Sequence, residues 1–222
     1  MLGGTVIVVW EGVDGAGKTT LMKRVRELLE RRGFRVSSYK TPSMSPTGRF
    51  ARDYGNRQEI DHLTRMLLFL ANTSDDSKTM RREIESSKPE YYFIDRYYLC
   101  SLVYGFAFSR IRGVEVGAEE FTDMLELVEK IGRDVFLDSD LYIILDVDEE
   151  TRLKRLGRKE SQGGLENVLE RSTPMQEYVR EFYRLFREAR GDRVLWVENV
   201  EGKLEETARQ VEERLLKLRA KL

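Results

Sequence analysis

A three-layer α/β/α sandwich, with helices on both faces of a parallel sheet of about five strands, is the fold class that the sequence predicts. Short runs rich in Val, Ile and aromatic residues recur along the chain, as in strands that are buried on both faces. Segments with helical apolar periodicity lie between these runs, and such alternation is typical of parallel sheets with right-handed crossovers. The chain has 222 residues and no segment typical of a linker, so we expect one domain over residues 1–222.

Five segments are predicted as strands. The first, TVIVVW, is continuous and rich in β-branched residues, whereas the second, RVSSY, is a weaker candidate. The other three, YYFID, LYIILDV and RVLWV, are short and apolar. In chain order the predicted strands cover residues 5–10, 35–39, 91–95, 141–147 and 193–197.

Six amphipathic segments are predicted as helices. In the first of them, Leu21, Val25 and Leu28 recur at helical spacing. Two segments, 40–48 and 157–166, are predicted as loops, and the second mixes charge with glycine as a mobile flap would. The predicted helices cover residues 18–32, 60–71, 98–108, 121–131, 175–189 and 204–222.

The composition excludes some classes of protein. The formal net charge is −1, so the chain lacks the overall basic field that nucleic-acid-binding proteins usually carry. Cys100 is the single cysteine, so no intrachain disulfide can form. No apolar run is long enough to span a membrane, and the first residues do not resemble a signal peptide. We therefore expect a soluble cytoplasmic protein with no nucleic-acid or membrane partner.

The segment WEGVDGAGKTT, residues 10–20, predicts a phosphate-binding loop. Gly12 is followed after four residues by Gly17, Lys18 and Thr19, with a predicted strand before and a predicted helix after. Glycines let backbone N–H groups approach phosphate oxygens, and the helix adds its positive end. Lys18 supplies charge for the β- and γ-phosphates, and the Thr19 hydroxyl is a ligand for Mg²⁺. We predict a P-loop NTPase type of fold in which ATP and Mg²⁺ are bound by Gly12, Val13, Asp14, Gly15, Ala16, Gly17, Lys18, Thr19 and Thr20.

Two further features indicate an acceptor beside the nucleotide. Asp14 lies inside the loop, where a carboxylate is repelled by phosphates unless it points toward a donor such as a sugar hydroxyl. The segment DRYYLCSLVYGF begins at the end of the third predicted strand, where ligands bind in open α/β sheets. There Asp95 can orient Mg²⁺ through water, and Arg96 can grip a phosphate with two N–H groups.

Together these motifs resemble the thymidylate kinase family of P-loop nucleoside monophosphate kinases. Over nearly the whole chain, the order and spacing of EGVDGAGKTT, LLFLAN, DRYYLCSLVY, RLKRLGRK and YVREFYRLF are similar to that family's. The resemblance implies direct in-line transfer of the γ-phosphoryl group of ATP to dTMP, giving dTDP and ADP, with Mg²⁺. It also implies the strand order 2-3-1-4-5, a homodimer, and a mobile lid over about residues 152–168.

For the acceptor dTMP, the resemblance implies a role for each matching residue. Asp14 would contact the 3′-hydroxyl, and Tyr104 would lie beside the sugar and disfavour a 2′-hydroxyl. Phe69 would stack on thymine, with Asn72 one helical turn further along, near the base or ribose. Arg96 would grip the acceptor phosphate.

For catalysis, the resemblance points to the predicted lid. Some family members carry a basic residue inside the loop, and others have glycine there and supply arginines from the lid. This chain has Gly15 at that position. Because the transferring phosphoryl group needs positive charge in its transition state, we expect Arg155 or Arg158, with Lys159, to provide it alongside Lys18.

The sequence departs from the family's pattern where the base is read. Lys40 stands where many members have arginine. It carries the same positive charge but lacks the paired N–H donors with which a guanidinium binds a phosphate. Thr73 replaces a base-binding arginine, Cys100 replaces a serine, and Gly105 replaces a glutamine. Thr73, Cys100 and Ser101 could read a pyrimidine with shorter reach or through water. A kinase for dUMP or another monophosphate therefore stays open beside dTMP.

Two other classes of function also stay open. A deoxynucleoside kinase would share the P-loop and the carboxylate–arginine pair, and it would need a carboxylate base such as Glu11 near a 5′-hydroxyl. A nucleotide-binding regulator would bind ATP without transferring a phosphoryl group.

Overall fold

A single parallel sheet of five strands forms the centre of the protein. The computed structural model describes residues 4–57, 59–157 and 164–221. The strand order is β2-β3-β1-β4-β5, and each neighbouring pair is parallel. The predicted fold class and strand order are therefore confirmed. The strands are β1 (Val6–Gly12), β2 (Val36–Lys40), β3 (Tyr91–Asp95), β4 (Leu141–Asp146) and β5 (Val194–Glu198).

Helices cover both faces of the sheet. α1 packs against α9, while α4 packs against α3 and α8. None of the described helices is long and apolar enough to cross a membrane. The helices are α1 (Lys18–Arg31), α2 (Pro46–Gly55), α3 (His62–Ser87), α4 (Tyr98–Ile111), α5 (Ala118–Ile131), α6 (Glu149–Gly157), α7 (Gly164–Arg171), α8 (Thr173–Arg190) and α9 (Leu204–Arg219).

The central strand, β1, positions the functional edge of the sheet. All seven of its residues are buried, because it has a strand on each side and helices on each face. Trp10 pairs with Asp95 of β3, and Gly12 pairs with Leu145 of β4. The loops that follow β1 and β3 therefore leave the sheet side by side, at its carboxyl edge.

One predicted loop contains a helix. Residues 40–48 were expected to be irregular, but α2 begins inside that segment, at Pro46. The Ser45 side chain accepts a hydrogen bond from the Gly48 N–H (3.1 Å), which caps the first turn. Proline fits this turn because it lacks an N–H that would otherwise be unpaired. The start of this helix was not predicted because the serines, prolines and glycine of the segment are also typical of turns.

Two other boundaries differ from the prediction. α3 runs on to Ser87 instead of ending near residue 71, with Met80 and Ile84 buried in its second half. Of the predicted loop 157–166, residues 158–163 lie outside the described residues, and α7 begins at Gly164. Polar residues dominate the second half of α3, so its apolar period is too weak to extend the predicted helix.

The predicted lid begins in α6, at the buried residue Arg152. Arg152 of α6 is fully buried, and its guanidinium bonds to Glu149 and to the Glu170 carbonyl oxygen of α7. Arg152 thus ties α6 to α7, the described helices on either side of residues 158–163.

Candidate active site

A cleft of about 1240 Å³ lies at the carboxyl edge of the sheet. This volume exceeds the roughly 300–1,000 Å³ that is usual for a single small ligand. One group of lining residues comes from the loop after β1 and from the segment after β5, and the other comes from the ends of β2 and β3 and from α3 and α4. The cleft therefore has two halves, with the loop after β1 between them.

The loop after β1 forms a cradle that glycine makes possible. Gly15 and Gly17 have φ values of +84° and +81°, a region that other residues rarely occupy. A Cβ on Gly12 would lie 2.2 Å from the Leu145 carbonyl oxygen. Asn199 donates a hydrogen bond to the Ala16 carbonyl oxygen (2.6 Å) and so holds the loop from behind. Because α1 begins directly after Gly17, its first N–H groups face the cradle.

A buried ion pair lies at the foot of the cradle. Lys18 bonds to Asp95, and the two residues are only 8% and 2% exposed. Burial, followed by repulsion from Arg96, lowers the pKa of Lys18, and attraction to Asp95 opposes this shift. Burial raises the pKa of Asp95, but attraction to Lys18 and their hydrogen bond outweigh it and hold the pKa below its usual value. Each charge thus stabilises the other.

Asp14 joins the two halves of the cleft. Its carboxylate forms an ion pair with Arg96 and accepts hydrogen bonds from the Tyr104 hydroxyl (2.9 Å) and the Gln176 amide (3.4 Å). The Gln176 side chain also accepts from the Asp14 N–H (3.1 Å). Because Asp14 faces these donors, it points away from the glycine cradle. The sugar hydroxyl that the sequence analysis named as a donor stays a prediction.

Arg96 is held in an unusual backbone conformation. Its φ is +68°, which costs a non-glycine residue free energy of order 1–3 kcal/mol. Its N–H donates to the Trp10 carbonyl oxygen (3.0 Å), and the next N–H, of Tyr97, donates to the Glu11 carboxylate (2.9 Å). The turn after β3 is thus fastened to β1, and the Arg96 guanidinium lies 5.1 Å from the centre of the Tyr104 ring.

Glu11 lies beneath this turn and not in the cleft. It is fully buried, and its second oxygen accepts from the Tyr183 hydroxyl (2.8 Å). Burial raises the pKa of Glu11 to about 7, against the attraction of Arg96 and Lys18. Both carboxylate oxygens are engaged by the protein, so Glu11 is placed to support the turn after β3.

The raised pKa of Glu11 predicts a pH-dependent stability. The folded protein binds the Glu11 proton more tightly than the unfolded chain, so its free energy of unfolding falls as the pH rises from about 4.5 to about 7. The loss amounts to roughly 3 kcal/mol. We expect urea unfolding between pH 4.5 and 8 to show this fall relative to Glu11→Gln, which cannot titrate. The exposed Glu188→Gln should follow the wild-type curve, and a Glu11→Gln curve parallel to wild type would contradict the prediction.

Most of the residues predicted for the acceptor line the cleft. They are Asp14, Lys40, Phe69, Arg96, Ser101 and Tyr104, together with Thr73 and Cys100 from the departing positions. Burial raises the pKa of Cys100 to about 11 despite the nearby Arg96, so its thiol stays protonated at neutral pH. Gly105 lies behind the lining, packed so closely on Met66 that a Cβ there would come within 2.5 Å of the Met66 side chain.

Three predicted residues lie outside the lining, and two lie outside the described residues. Gly12 and Asp95 lie beneath the cradle. Asn72 is buried and donates to the Thr47 and Ser45 hydroxyls (3.2 and 3.4 Å), so it ties α3 to the start of α2. Arg158, with its neighbour Lys159, belongs to the residues that the structure does not describe.

Arg155, the other predicted lid arginine, touches the back of the cradle. Its guanidinium donates to the carbonyl oxygens of Ala16 and Asn199, both at 3.1 Å. It also lines the cleft half that contains the cradle. Arg155 is therefore within the half that contains the cradle, bound to the loop whose charge it was expected to supplement.

Gln176, Asn199 and Arg65 are residues in or next to the site that the sequence analysis missed. Gln176 and Asn199 bond to the loop after β1 from 162 and 183 residues further along the chain, and no local pattern marks them. Arg65 lines the half formed by α3 and α4, with its guanidinium 4.9 Å from the centre of the Phe69 ring. Its position four residues before Phe69, on the same face of one helix, was the available signal.

The fold and the cradle define the class of the protein. A glycine loop between the central strand of a 2-3-1-4-5 parallel sheet and the helix that follows it is the arrangement of P-loop nucleotide-binding proteins. A solved structure of thymidylate kinase from Ehrlichia chaffeensis has this fold, with a TM-score of 0.65, 17% identity, and coverage of 96% of this chain and 99% of that one.

Sequence comparisons give the family. The family model described as thymidylate kinase matches residues 10–211. A protein of Methanocaldococcus jannaschii named "Probable thymidylate kinase" is 32% identical, over 70% of this chain and 71% of its own length. One of the same name from Archaeoglobus fulgidus is 26% identical, over 93% of this chain and 92% of its own length. The chain belongs to the thymidylate kinase family, and it is an enzyme that transfers phosphoryl groups.

Proposed function

We propose that this enzyme phosphorylates dTMP with ATP, giving dTDP and ADP by direct in-line transfer of the γ-phosphoryl group. The observation that carries the proposal is the Asp14–Arg96 pair, which lies between a phosphate cradle and a second half-cleft lined by Phe69 and Tyr104. An acceptor that bears both a phosphate and a sugar hydroxyl matches this arrangement. A cleft of about 1240 Å³ also has room for two nucleotides.

The donor ATP would occupy the half that contains the cradle. The N–H groups of residues 13–20 would bind its phosphates, and Lys18 would turn from Asp95 toward them as their negative charge arrives. The cleft continues along Asn199, Val200 and Leu204, which offer a partly apolar surface for the rest of the nucleotide. Binding of ATP therefore requires an exchange of partners at Lys18.

The acceptor would occupy the other half. Arg96 would grip its phosphate, and Asp14 would accept a hydrogen bond from the 3′-hydroxyl. Phe69 would stack on the base, while Tyr104 would fill the space where a 2′-hydroxyl would project. The fixed turn after β3 supports this assignment, because a rigid guanidinium loses little entropy when it binds a phosphate.

Oxygen donors suited to Mg²⁺ lie beside the cradle. The Thr19 hydroxyl lines the cleft, and the Asp95 carboxylate lies under Lys18. Hard oxygen ligands of this kind fit Mg²⁺, which keeps several waters and is held mainly by phosphates. When bound, the ion would neutralise charge on the β- and γ-phosphates.

Positive charge for the transferring group would come from the lid. Gly15 carries no charge of its own. A Cβ at this position would lie 3.0 Å from the Arg152 side chain, so a larger residue would be crowded there. We propose that Arg155 and Arg158, with Lys159, act within a lid over about residues 152–168 of a single domain, 1–222. Arg155 would need only to exchange its carbonyl partners for phosphate oxygens.

A double variant tests the lid arginines. Arg155→Ala with Arg158→Ala is expected to lower kcat roughly 100-fold, with smaller changes in both KM values, because the lost charge acts mainly in the transition state. Steady-state kinetics with dTMP and ATP would measure this. Lys154→Ala, on the exposed side of the same helix, is the matched control. An unchanged kcat in the double variant would remove both arginines from the proposed catalytic machinery.

The position of Glu11 argues against a deoxynucleoside kinase. Such an enzyme needs a carboxylate base near a 5′-hydroxyl, but Glu11 is fully buried and holds Tyr97 and Tyr183. Arg96 and Lys40 give the acceptor half a positive charge suited to a phosphate.

A substrate panel tests the proposed function. We expect ATP-dependent turnover of dTMP, weaker turnover of dUMP, and none of thymidine, with ADP release as the measurement. Turnover of thymidine without dTMP would identify a deoxynucleoside kinase. ATP binding without transfer to any monophosphate would identify a regulator.

We also propose a homodimer in the cytoplasm. Leu63 and Leu67 of α3 and Phe50 and Tyr54 of α2 are exposed apolar side chains on neighbouring helices. α4 is mostly buried within the protein, so the contact would be made by α2 and α3. A monomeric mass by light scattering would exclude this dimer.

A further inference from the structure

Asn199 is a buried polar residue in the segment that follows β5. It is 5% exposed, and it lines the half of the cleft that contains the cradle. Its backbone N–H donates to the Asp146 carbonyl oxygen of β4 (2.9 Å), which fixes its backbone at the carboxyl edge of the sheet. Its side-chain amide donates to the Ala16 carbonyl oxygen (2.6 Å). Asn199 thus connects the glycine loop to the end of the sheet.

The loop leaves room for this contact at a glycine. Gly17 has a φ of +81°, and a Cβ at this position would lie 2.6 Å from the side-chain nitrogen of Asn199. Because Cβ atoms do not come so close to other atoms, a side chain here would push the Asn199 amide away from the loop. Gly17 is therefore needed for the Asn199 contact as well as for its own backbone conformation.

The held carbonyl oxygen sets the direction of the next N–H group. The peptide bond between Ala16 and Gly17 is planar and trans, so its C=O and N–H bonds point in opposite directions. Asn199 holds the oxygen behind the loop, and the Gly17 N–H is thereby directed into the cradle. Glycine has both signs of φ open to it, so this peptide could otherwise turn over. A carbonyl oxygen would then face the phosphates and repel them.

Arg155 is a second donor to the same oxygen. Its guanidinium donates to the carbonyl oxygens of Ala16 and Asn199, both at 3.1 Å. In the proposed function, Arg155 exchanges these oxygens for phosphate oxygens. Of the two donors, Asn199 is therefore the one that would stay on the Ala16 oxygen while the nucleotide is bound.

We propose that Asn199 is a positioning residue for the phosphates of the donor nucleotide. It acts by keeping the peptide between Ala16 and Gly17 in the orientation that directs the N–H into the cradle. This inference rests on the proposed function, in which the cradle binds the phosphates of ATP. Asn199 acts on these phosphates through the loop and takes no part in binding the acceptor.

The test measures binding and does not depend on turnover. Wild type and Asn199→Ala are titrated calorimetrically with ADP and, separately, with inorganic pyrophosphate, both in the presence of Mg²⁺. We expect the Kd of each to rise roughly 10-fold, because the loss of one hydrogen bond to a charged group has about this effect. In steady-state kinetics, the KM for dTMP should stay within about twofold of wild type, because the acceptor half is unchanged.

Glu201→Gln is the matched control. Glu201 belongs to the same segment after β5, pairs with Lys154 (3.3 Å), and does not line the cleft. Its Kd values should equal those of wild type. If Asn199→Ala proves too unstable to titrate, Asn199→Asp keeps the size of the side chain but turns a carboxylate oxygen toward the Ala16 oxygen. We expect it to raise both Kd values further, because two acceptors then face each other beside the phosphates.

Each outcome has a distinct meaning. A rise in the Kd of ADP without a rise for pyrophosphate would overturn the inference, because Asn199 would then contact the rest of the nucleotide directly. Unchanged Kd values in a folded Asn199→Ala or in Asn199→Asp would overturn it as well, as would an equal rise in the KM for dTMP. If wild type binds neither ADP nor pyrophosphate, the proposed function fails at its donor site, and the inference fails with it.

Discussion

Replacing Lys18 by methionine is expected to lower kcat/KM for ATP roughly 100- to 1,000-fold. The change removes a positive charge from the foot of a preorganised phosphate cradle, and the loss of one such donor typically costs this much. Steady-state kinetics at varied ATP would measure it. Lys23→Met is the control, since Lys23 is exposed on the same helix and does not line the cleft.

The same variant is expected to lose stability. Asp95 is 2% exposed, so without Lys18 its carboxylate stays buried. Among the described residues, the Lys40 ammonium, 4.0 Å away, is then its one remaining cation partner in an ion pair. Breaking a buried pair on one side commonly costs about 3–5 kcal/mol. The double variant Lys18→Met with Asp95→Asn should recover much of that free energy of unfolding while staying inactive. Equal stability of Lys18→Met and wild type in urea would show that the pair contributes nothing to folding.

Replacing Arg96 by alanine is expected to raise the KM for dTMP roughly 10- to 100-fold, the range for losing hydrogen bonds to a charged group. The KM for ATP should change less than about threefold, because the cradle keeps its N–H groups and Lys18. Arg96→Lys should fall between alanine and wild type, since it keeps the charge but loses the fork of donors.

Arg110→Ala is a suitable control for Arg96→Ala. Arg110 also belongs to the region after β3 and stacks on an aromatic ring, that of Tyr178, but it does not line the cleft. The two variants therefore separate loss of an acceptor contact from loss of packing. Unchanged kinetics for dTMP in Arg96→Ala would remove Arg96 from the acceptor site.

The fold was predictable because its signals are local. Buried strands are continuous apolar runs, and the cradle is a contiguous motif between one of them and a helix. The order of the strands came from the resemblance and is confirmed. The start of α2 at Ser45 and Pro46 was missed, because serine, proline and glycine also mark turns. The second half of α3 was missed because few of its residues are apolar.

The site was less predictable where its contacts join residues far apart in the sequence. It was also less predictable where helical spacing does not show which side chains of a helix point into the cleft. Asn72 lies three residues after Phe69, so helical spacing puts both on one side of α3, yet Asn72 turns toward Ser45 and Thr47. Gln176 reaches Asp14 from α8, and only the packing of α8 beside the loop creates that contact. Such pairings are set by the tertiary structure, which spacing along a single helix does not encode.

The hydrogen bonds and ion pair of Asp14 imply that the two halves of the cleft bind their ligands in different ways. Arg96, Tyr104 and Gln176 already orient its carboxylate, so an acceptor meets a surface whose ordering entropy was lost on folding. In the proposed function, ATP would instead compete with Asp95 for Lys18, so part of its binding free energy would go into breaking that pair. We therefore expect the acceptor to bind side chains that are already ordered. The affinity for ATP should depend on the strength of the Lys18–Asp95 pair that ATP has to break.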